Sequence, residues 1–228
     1  MSVLAEHWDK LHGMSATLAA QLARFIADDT AETVDATGDR ILDAALEQFQ
    51  SVGLRRSSME DVAKRAGLSR VTIYRRFPQK DRLLEAVLLR ECRRLIGDMR
   101  TVMLPLATPQ QRVVESFVFA LRTMREHPLL VRLMAIEPED LLPVMTLQAG
   151  PVVAIVSGFI AQQIRDAQRR GEVPAYDPRP VAEILTRMAQ SLILTTQGGV
   201  PLDSERQVRA FARDYIVPIV MRAVPAGD

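Results

Sequence analysis

The residues best suited to chemistry on a partner lie in one short stretch of this chain. They are Ser69, Arg70, Val71, Thr72, Tyr74, Arg75 and Arg76. Guanidinium, hydroxyl and phenol groups donate hydrogen bonds to phosphate oxygens, and a guanidinium also binds the O6 and N7 atoms of guanine. This combination predicts nucleic-acid binding. A merely solvated, arginine-rich helix face is the simpler alternative.

Two helical patterns meet at residues 66–68, and their junction has the form of a helix-turn-helix. Gly67 supplies the left-handed backbone that a tight turn requires. Ser69 then caps the second helix, which Ile73 anchors in the core and Pro78 ends. In a helix-turn-helix this second helix enters the major groove of DNA.

The helix before the turn begins at a pair of serines. Ser57 and Ser58 are alternative N-caps of this helix, and Ser57 with Glu60 matches the capping-box pattern. Upstream, an apolar face predicts a further helix over residues 39–52, ended by Gly53. Three helices are therefore expected before residue 78.

The distribution of charge agrees with a nucleic-acid footprint. The chain has 228 residues and a formal net charge of only +1. Residues 38–82, however, carry ten lysines and arginines against six acidic residues, whereas residues 1–37 are acidic. A locally basic module in a near-neutral protein suits contact with phosphates, although charge alone does not decide the matter because surface helices are often rich in arginine.

Helical periodicity continues through the rest of the chain, so the predicted fold class is all-α. Aromatic residues make up only 5% of the chain and glycine is scarce, which favours helices over strands. Asp203 is the predicted cap of the last helix, and Pro218 is expected to kink it. The helices expected after residue 80 cover residues 81–104, 109–126, 128–136 and 152–169, a brief helix or loop at 138–143, a helix from Pro178 and one after Asp203.

Several other classes of protein are disfavoured by what the sequence contains. Cys92 is the single cysteine, so no intrachain disulfide is possible and a reducing compartment is expected. The apolar run 151–161 is too short to span a bilayer, and no secretory signal pattern is present, so we expect a cytoplasmic protein without a membrane partner. No HExxH, GxSxG, P-loop or GxGxxG motif occurs. We therefore expect no catalytic residues, no metal and no cofactor.

Between Arg40 and Glu85 the sequence resembles the TetR family of transcriptional repressors. Two departures from the family pattern are a long leader, residues 1–37, and Arg76 where the family often has His or Tyr. The points of match are Phe49, Ser57-Ser58, Asp61-Val62-Ala63, Ala66-Gly67, Ser69, Ile73-Tyr74, Phe77 and Lys80–Leu84.

The resemblance implies a domain organisation. A three-helix DNA-binding domain of the helix-turn-helix type would occupy residues 38–84, and a helical effector-binding and dimerisation domain would occupy residues 85–228. Residues 1–37 would form an N-terminal extension that is partly helical or mobile.

The resemblance also implies the residues that contact DNA. The hydroxyl of Ser57 or Ser58, with Tyr74 and Lys80, would bind phosphates, which sets the register without reading sequence. Base edges would be read from the start of the second helix by Arg70, Val71 and Thr72. One of Arg75 and Arg76 would take a phosphate, because adjacent residues on a helix point about 100° apart. As alternatives, Ser57, Ser58 and Ser69 serve only as caps and Tyr74 only packs.

A homodimer is expected, because one recognition helix contacts only a few base pairs. The last two helices are the candidate interface, with plain intramolecular core as the alternative. The interface residues would be Ile184, Leu185, Met188, Leu192, Phe211 and Tyr215.

By the same resemblance, helices between residues 105 and 175 would hold an unidentified small apolar effector. The residues expected to line its pocket are Phe117, Phe119, Met124, Met134 and Phe159. Met145 also suits the pocket, and His127, Glu137 and Gln163 are candidate polar contacts, although methionine and phenylalanine at helical spacing usually belong to a core.

The resemblance to the TetR family therefore implies a ligand-responsive transcriptional repressor, and we do not expect an enzyme. It would bind a palindromic double-stranded DNA operator as a homodimer, and the effector would release it. The alternative is a helical protein-interaction module that uses its helix-turn-helix for protein contacts, without DNA binding.

Overall fold

The structure of the protein, a computed structural model, describes residues 36–147 and 149–221. All regular elements in these ranges are helices, which confirms the predicted fold class. Residues 1–35 of the N-terminal extension, expected to be partly helical or mobile, lie outside the described residues. The elements are α1 Ala36–Val52, α2 Met59–Ala66, α3 Arg70–Arg76, α4 Lys80–Met103, α5 Pro109–Glu126, α6 Pro128–Ile136, α7 Pro138–Met145, α8 Gly150–Arg169, α9 Pro178–Leu194, α10 Glu205–Phe211, a π-helical turn Ala212–Ile216 and α11 Val217–Met221.

The described residues form two compact units, and the first is discontinuous in sequence. It comprises residues 36–94 together with 126–147, so that α6 and α7 belong with α1–α3. The second comprises residues 95–125 and 149–221.

The core of the first unit is built on the buried face of α1. Ile41, Ala45 and Phe49 of α1 have no exposed surface, and Ile73 of α3 is equally buried. Each large apolar side chain buried in this way contributes about 1.5–3 kcal/mol. The same core also contains the buried side chains of Val62, Leu83, Val87, Leu129, Leu133 and Leu141.

Helix α1 begins three residues earlier than the sequence indicated. It starts at Ala36 rather than Asp39, so Ala36–Gly38, which precede the predicted helix, are its first turn. Gly38 is buried there. Glycine is a poor helix former, but packing against the core overrides a weak local preference.

The start of α2 corrects the predicted capping box. Ser58, not Ser57, is the N-cap: its Oγ accepts the amide of Asp61, and the Asp61 carboxylate accepts the amide of Ser58. Glu60 has no part in the box. Ser57 instead is buried, and its hydroxyl donates to the carbonyl of Gly53 at 2.5 Å.

The turn between α2 and α3 has the predicted geometry. Gly67 lies in the left-handed region with φ +64°, and the Leu68 amide donates to the Ala63 carbonyl. Arg40 of α1 adds a further bond, because its Nη2 donates to the carbonyl of Ala66 at 2.8 Å. The end of α2 is therefore fixed both by backbone conformation and by a cation placed where the helix dipole favours it.

The second unit packs α5 against the C-terminal helices. Val114, Phe117 and Leu121 of α5 are buried in one cluster with Val208 and Ile216. A second cluster is formed by Ile164, Ala167, Val173 and Val220. Both are the kind of apolar stripe that the helical periodicity predicted.

Polar contacts fix the C-terminal helices to α5. Arg209 pairs with Glu115, with N···O distances of 2.9 and 3.0 Å. The guanidinium of Arg125 donates to the carbonyls of Leu192 and Leu202, the first at the end of α9 and the second in the connection that follows. This arginine therefore satisfies carbonyl groups that the end of a helix leaves without partners.

Two details of the last helical region differ from or refine the prediction. Ser204, not Asp203, is its N-cap, because Ser204 forms a capping box with Gln207. The distortion expected from Pro218 takes the form of the π-helical turn, in which the Val217 amide donates to Ala212. A proline lacks the amide hydrogen that an α-helix needs, and a widened turn accommodates this.

Replacement of Gly67 by alanine should destabilise the protein. The left-handed backbone at this position disfavours any side chain, and we expect a loss of about 1 kcal/mol or more in the free energy of unfolding. Gly97→Ala is the matched control. Gly97 lies inside α4 with nothing within 4 Å of an added Cβ, so that change should stabilise by roughly 0.5–1 kcal/mol. Chemical denaturation monitored by circular dichroism measures the free energy of unfolding of both variants. If both substitutions changed it in the same direction, the assignment of the turn would be contradicted.

Candidate DNA-binding site

The exposed surface of α3 is fixed by the one side chain of this helix that is buried. Ile73 faces the core with no exposed surface. Since successive residues rotate by about 100°, Val71 and Arg75, two positions to either side, point away from the core. Val71 is accordingly 76% exposed, an unusual environment for a valine. Such a valine suits contact with a partner, for example the methyl group of thymine.

The two flanks of α3 carry the remaining polar groups. Arg70 and Tyr74, four residues apart, share one flank, and Arg76 lies on the other with Thr72. The side chain of Arg70 is 67% exposed, and Arg75 and Arg76 are exposed as well. The two adjacent arginines therefore point in different directions, as the sequence indicated.

Hydroxyl groups organise the first turn of α3. Ser69 is its N-cap, since Oγ accepts the amide of Thr72 at 3.2 Å. The hydroxyls of Ser69 and Thr72 are also 2.9 Å apart and hydrogen-bonded to each other. Both keep further hydrogen-bonding capacity, because a hydroxyl is one donor and two acceptors.

Glu60 on α2 contacts two of the candidate DNA-binding side chains. Its Oε1 accepts a hydrogen bond from Arg70 Nη2 and another from the Tyr74 hydroxyl, the latter at 3.4 Å. These bonds orient both side chains at the protein surface. From the sequence we expected only a capping role for Glu60, and no local pattern indicated this contact.

Two other candidates meet at the loop between α1 and α2: Lys80 of α4 binds the loop, and Ser57 lies in it. Lys80 donates from Nζ to the carbonyls of Leu54 and Ser57, at 2.6 and 3.1 Å, which leaves one of its three hydrogens for a phosphate. Ser57 is buried, with its hydroxyl bonded within the loop. Of the serine pair, Ser58 is the one nearer the surface.

Glu137 is a residue of this site whose role the sequence did not indicate. We expected it among the polar contacts to an effector. Instead its buried carboxylate accepts hydrogen bonds from the amides of Leu54, at 2.7 Å, and Arg55, at 3.2 Å. No local sequence signal connects residues more than 80 positions apart.

Comparison with known proteins identifies the family to which the helix-turn-helix region belongs. Residues 41–87 match the model of the family described as bacterial regulatory proteins, tetR family. An uncharacterised HTH-type transcriptional regulator of Mycobacterium tuberculosis is 28% identical over 87% of this chain and 92% of its own length. Another regulator of that organism is 30% identical over 69% of this chain and 80% of its own.

The chain belongs to the TetR family. It is a transcriptional regulator with a DNA-binding helix-turn-helix, and not an enzyme. The fold is also that of solved members: the TetR family repressor AlkX from a Dietzia species superposes with a TM-score of 0.61 at 23% identity, covering 85% of this chain and 99% of that one.

In this TetR-family chain the candidate dimer residues lie in two environments. Ile184 is 53% exposed and Tyr215 is 62% exposed, which is uncommon for large apolar side chains. The other four, Leu185, Met188, Leu192 and Phe211, are half-buried against the core of the second unit.

The candidate pocket residues are divided between the two units. Met134 packs against the core of the first unit, as does Met145. Phe117 and Phe159 are buried in the second unit, and Phe119 and Met124 are half-buried there. Phe117 contacts Phe211, with ring centroids 5.8 Å apart, and the guanidinium of Arg100 lies 5.8 Å from the centre of the Phe159 ring.

The remaining polar candidates are placed as follows. His127 lies beside Glu91, with Nε2 3.6 Å from the carboxylate, and Gln163 is half-buried on α8. Among the described residues, no group of three or more His, Cys, Asp or Glu is arranged to hold a metal ion. No helix in the described ranges is both long enough and apolar enough to cross a membrane.

Cys92 on α4 is half-buried in surroundings that disfavour its thiolate form. Burial raises the pKa of its thiol, and the neighbouring carboxylate of Glu91 raises it further. A raised pKa lowers the fraction of thiolate at neutral pH, and the thiolate is the reactive form.

We therefore expect Cys92 to react slowly with thiol reagents in the folded protein. At pH 8 the rate with a maleimide should be at least about tenfold lower than in denaturant, where the thiol recovers its ordinary pKa and full exposure. Because the pKa is raised, the rate in the folded protein should still rise at pH values where the rate in denaturant has already levelled off. Equal rates in the folded and denatured protein would contradict this description of the cysteine.

Proposed function

We propose that this regulator is a ligand-responsive repressor that binds a palindromic DNA operator as a homodimer. The observation that carries the proposal is the exposed surface of α3, where Val71 and Arg75 point away from a core held by Ile73 and Arg70 is exposed on one flank. A surface of this composition matches the base edges and phosphates of a major groove.

Within this proposal the candidate residues take different roles. Arg70, Val71 and Thr72, near the start of α3, read base edges. Arg70 is suited to the O6 and N7 atoms of guanine, and Val71 to a thymine methyl. The phosphate contacts fall to Ser58, Ser69, Tyr74, Lys80 and one of Arg75 and Arg76, whereas Ser57 supports the loop from inside.

Two copies of α3 are required for a specific site. The half-sites of a palindrome lie about 34 Å apart, one helical turn, and a two-fold symmetric dimer presents one reading helix to each. We assign the interface to α9 and the C-terminal helical region. The exposed side chains of Ile184 and Tyr215, together with half-buried Phe211, supply an apolar surface that a partner copy would cover.

The effector part of the proposal rests on the family resemblance and on apolar side chains of the second unit. Phe117, Phe119, Met124 and Phe159 all lie there. A small apolar molecule bound among them would favour a dimer geometry in which the two reading helices no longer match adjacent grooves. Operator affinity would then fall while the dimer persists.

Operator binding should depend steeply on salt and on Arg70. With a site selected from random DNA, fluorescence polarisation at several salt concentrations should give a slope of log K against log salt of about −0.9 for each phosphate contacted. Arg70→Ala should cost about 1–3 kcal/mol and relax base preference at one position of each half-site. Tyr74→Phe should weaken binding to all sequences alike, since its hydroxyl contacts phosphate.

Arg169→Ala is the matched control for these substitutions. Arg169 is equally exposed but lies at the end of α8 in the second unit, so its removal should leave affinity within about twofold. Failure of the wild-type protein to bind any DNA in a salt-dependent way would favour the alternative, a protein-interaction module.

A charge placed in the proposed interface should separate the dimer. Tyr215→Glu and Ile184→Glu each put a carboxylate at a position exposed in the single chain, so the subunit should still fold. Burying that charge against a partner is costly, and sedimentation velocity should show monomers at micromolar concentration. Leu147→Glu, at a site 81% exposed in the first unit, should remain dimeric. Persistence of the dimer in both interface variants would rule out this interface.

A further inference from the structure

The loop that connects α1 to α2, residues 53–58, is held from both sides by charged side chains. Lys80 binds two of its carbonyl groups, those of Leu54 and Ser57. Glu137 binds two of its amide groups, those of Leu54 and Arg55. The loop ends at Ser58, the N-cap of α2, so its position determines where α2 begins.

Glu137 is well suited to hold this loop. Only 5% of the residue is exposed, and each carboxylate oxygen accepts one backbone amide. Hydrogen bonds to a charged acceptor are roughly twice as strong as those between neutral groups, and a buried carboxylate without them would be strongly unfavourable.

Gly53 is the second feature that fits the same carboxylate. Its φ is +88°, and a Cβ at this position would lie 2.5 Å from Glu137 Oε1. The glycine therefore both allows the backbone to turn and leaves the space that the carboxylate occupies.

Neighbouring residues of α6 and α7 join the same region of the first unit. Arg132 donates from Nη2 to the carbonyl of Ser51 at 3.1 Å, and Glu139 pairs with Arg55 at 2.9 Å. Leu129 and Leu133 are buried in the core that also contains Ile73. The α6–α7 segment is thus part of the body that carries the recognition helix.

We propose that Glu137 is a positioning residue for DNA recognition, a role that rests on the proposed function. It does not touch DNA. By fixing the backbone of Leu54 and Arg55, it fixes the position of Ser58 and of the start of α2. Through α2 it thereby sets the position of the phosphate-binding groups relative to α3. Loss of the carboxylate lets the loop shift, which weakens binding to the operator more than binding to DNA of unrelated sequence.

The test compares E137Q with E139Q in the full chain. Glutamine at 137 keeps the size of the side chain but retains one acceptor and places an amide group against a donor. We expect the operator Kd to rise about tenfold, with the Kd for unrelated DNA unchanged within about twofold. E139Q removes an exposed pair from the same segment and should change neither value by more than about twofold. An operator Kd for E137Q equal to that of the wild type would overturn the proposal.

Hydrogen exchange tests the contact without reference to DNA. In the DNA-free wild-type protein the amides of Leu54 and Arg55 should be protected, and in E137Q at least one should exchange about tenfold faster. Rapid exchange of both amides in the wild type would overturn the proposal, even if E137Q fails to fold. If the wild type protects these amides but binds no DNA, the proposed function fails while the contact made by Glu137 stands.

Discussion

The burial of Ile73 is the constraint on which the candidate site depends. Helix α3 has seven residues, too few to be stable alone in water, since isolated helices need about 12–15. Its existence therefore rests on one anchor in the core, the Ser69 cap and the left-handed turn at Gly67. The buried Ile73 also fixes the rotation of α3 about its own axis. The same side chain therefore stabilises the helix and determines which of its residues face the solvent.

The sequence predicted best those elements whose signals are local. The all-α class, the turn at Gly67 and the cap at Ser69 each follow from residues a few positions apart, and the structure has them as expected. The errors are also local: in Ser57-Ser58 and in Asp203-Ser204, two adjacent residues both qualify as caps. N-cap preferences among these residue types differ by only tenths of a kcal/mol, so propensity does not choose between neighbours.

The contacts that the sequence did not reveal join different elements of the first unit. Glu60 with Arg70, Lys80 with the loop carbonyls and Glu137 with the loop amides all depend on tertiary packing. Acidic residues are ordinary both within a helix, as at Glu60, and between two helices, as at Glu137, and only burial distinguishes the second from the first. The three contacts have a common effect, since each restricts either a side chain of α3 or the loop that leads into α2.

The discontinuity of the first unit has a consequence for chimeric regulators. Residues 126–147 pack with α1–α3, and they contribute Leu129, Leu133 and Leu141 to the same core. A graft of residues 36–94 alone onto another effector domain would expose that core and leave the loop amides without their acceptor. A transplant that keeps its sequence preference has to carry both segments, or else borrow an equivalent helix pair from the recipient.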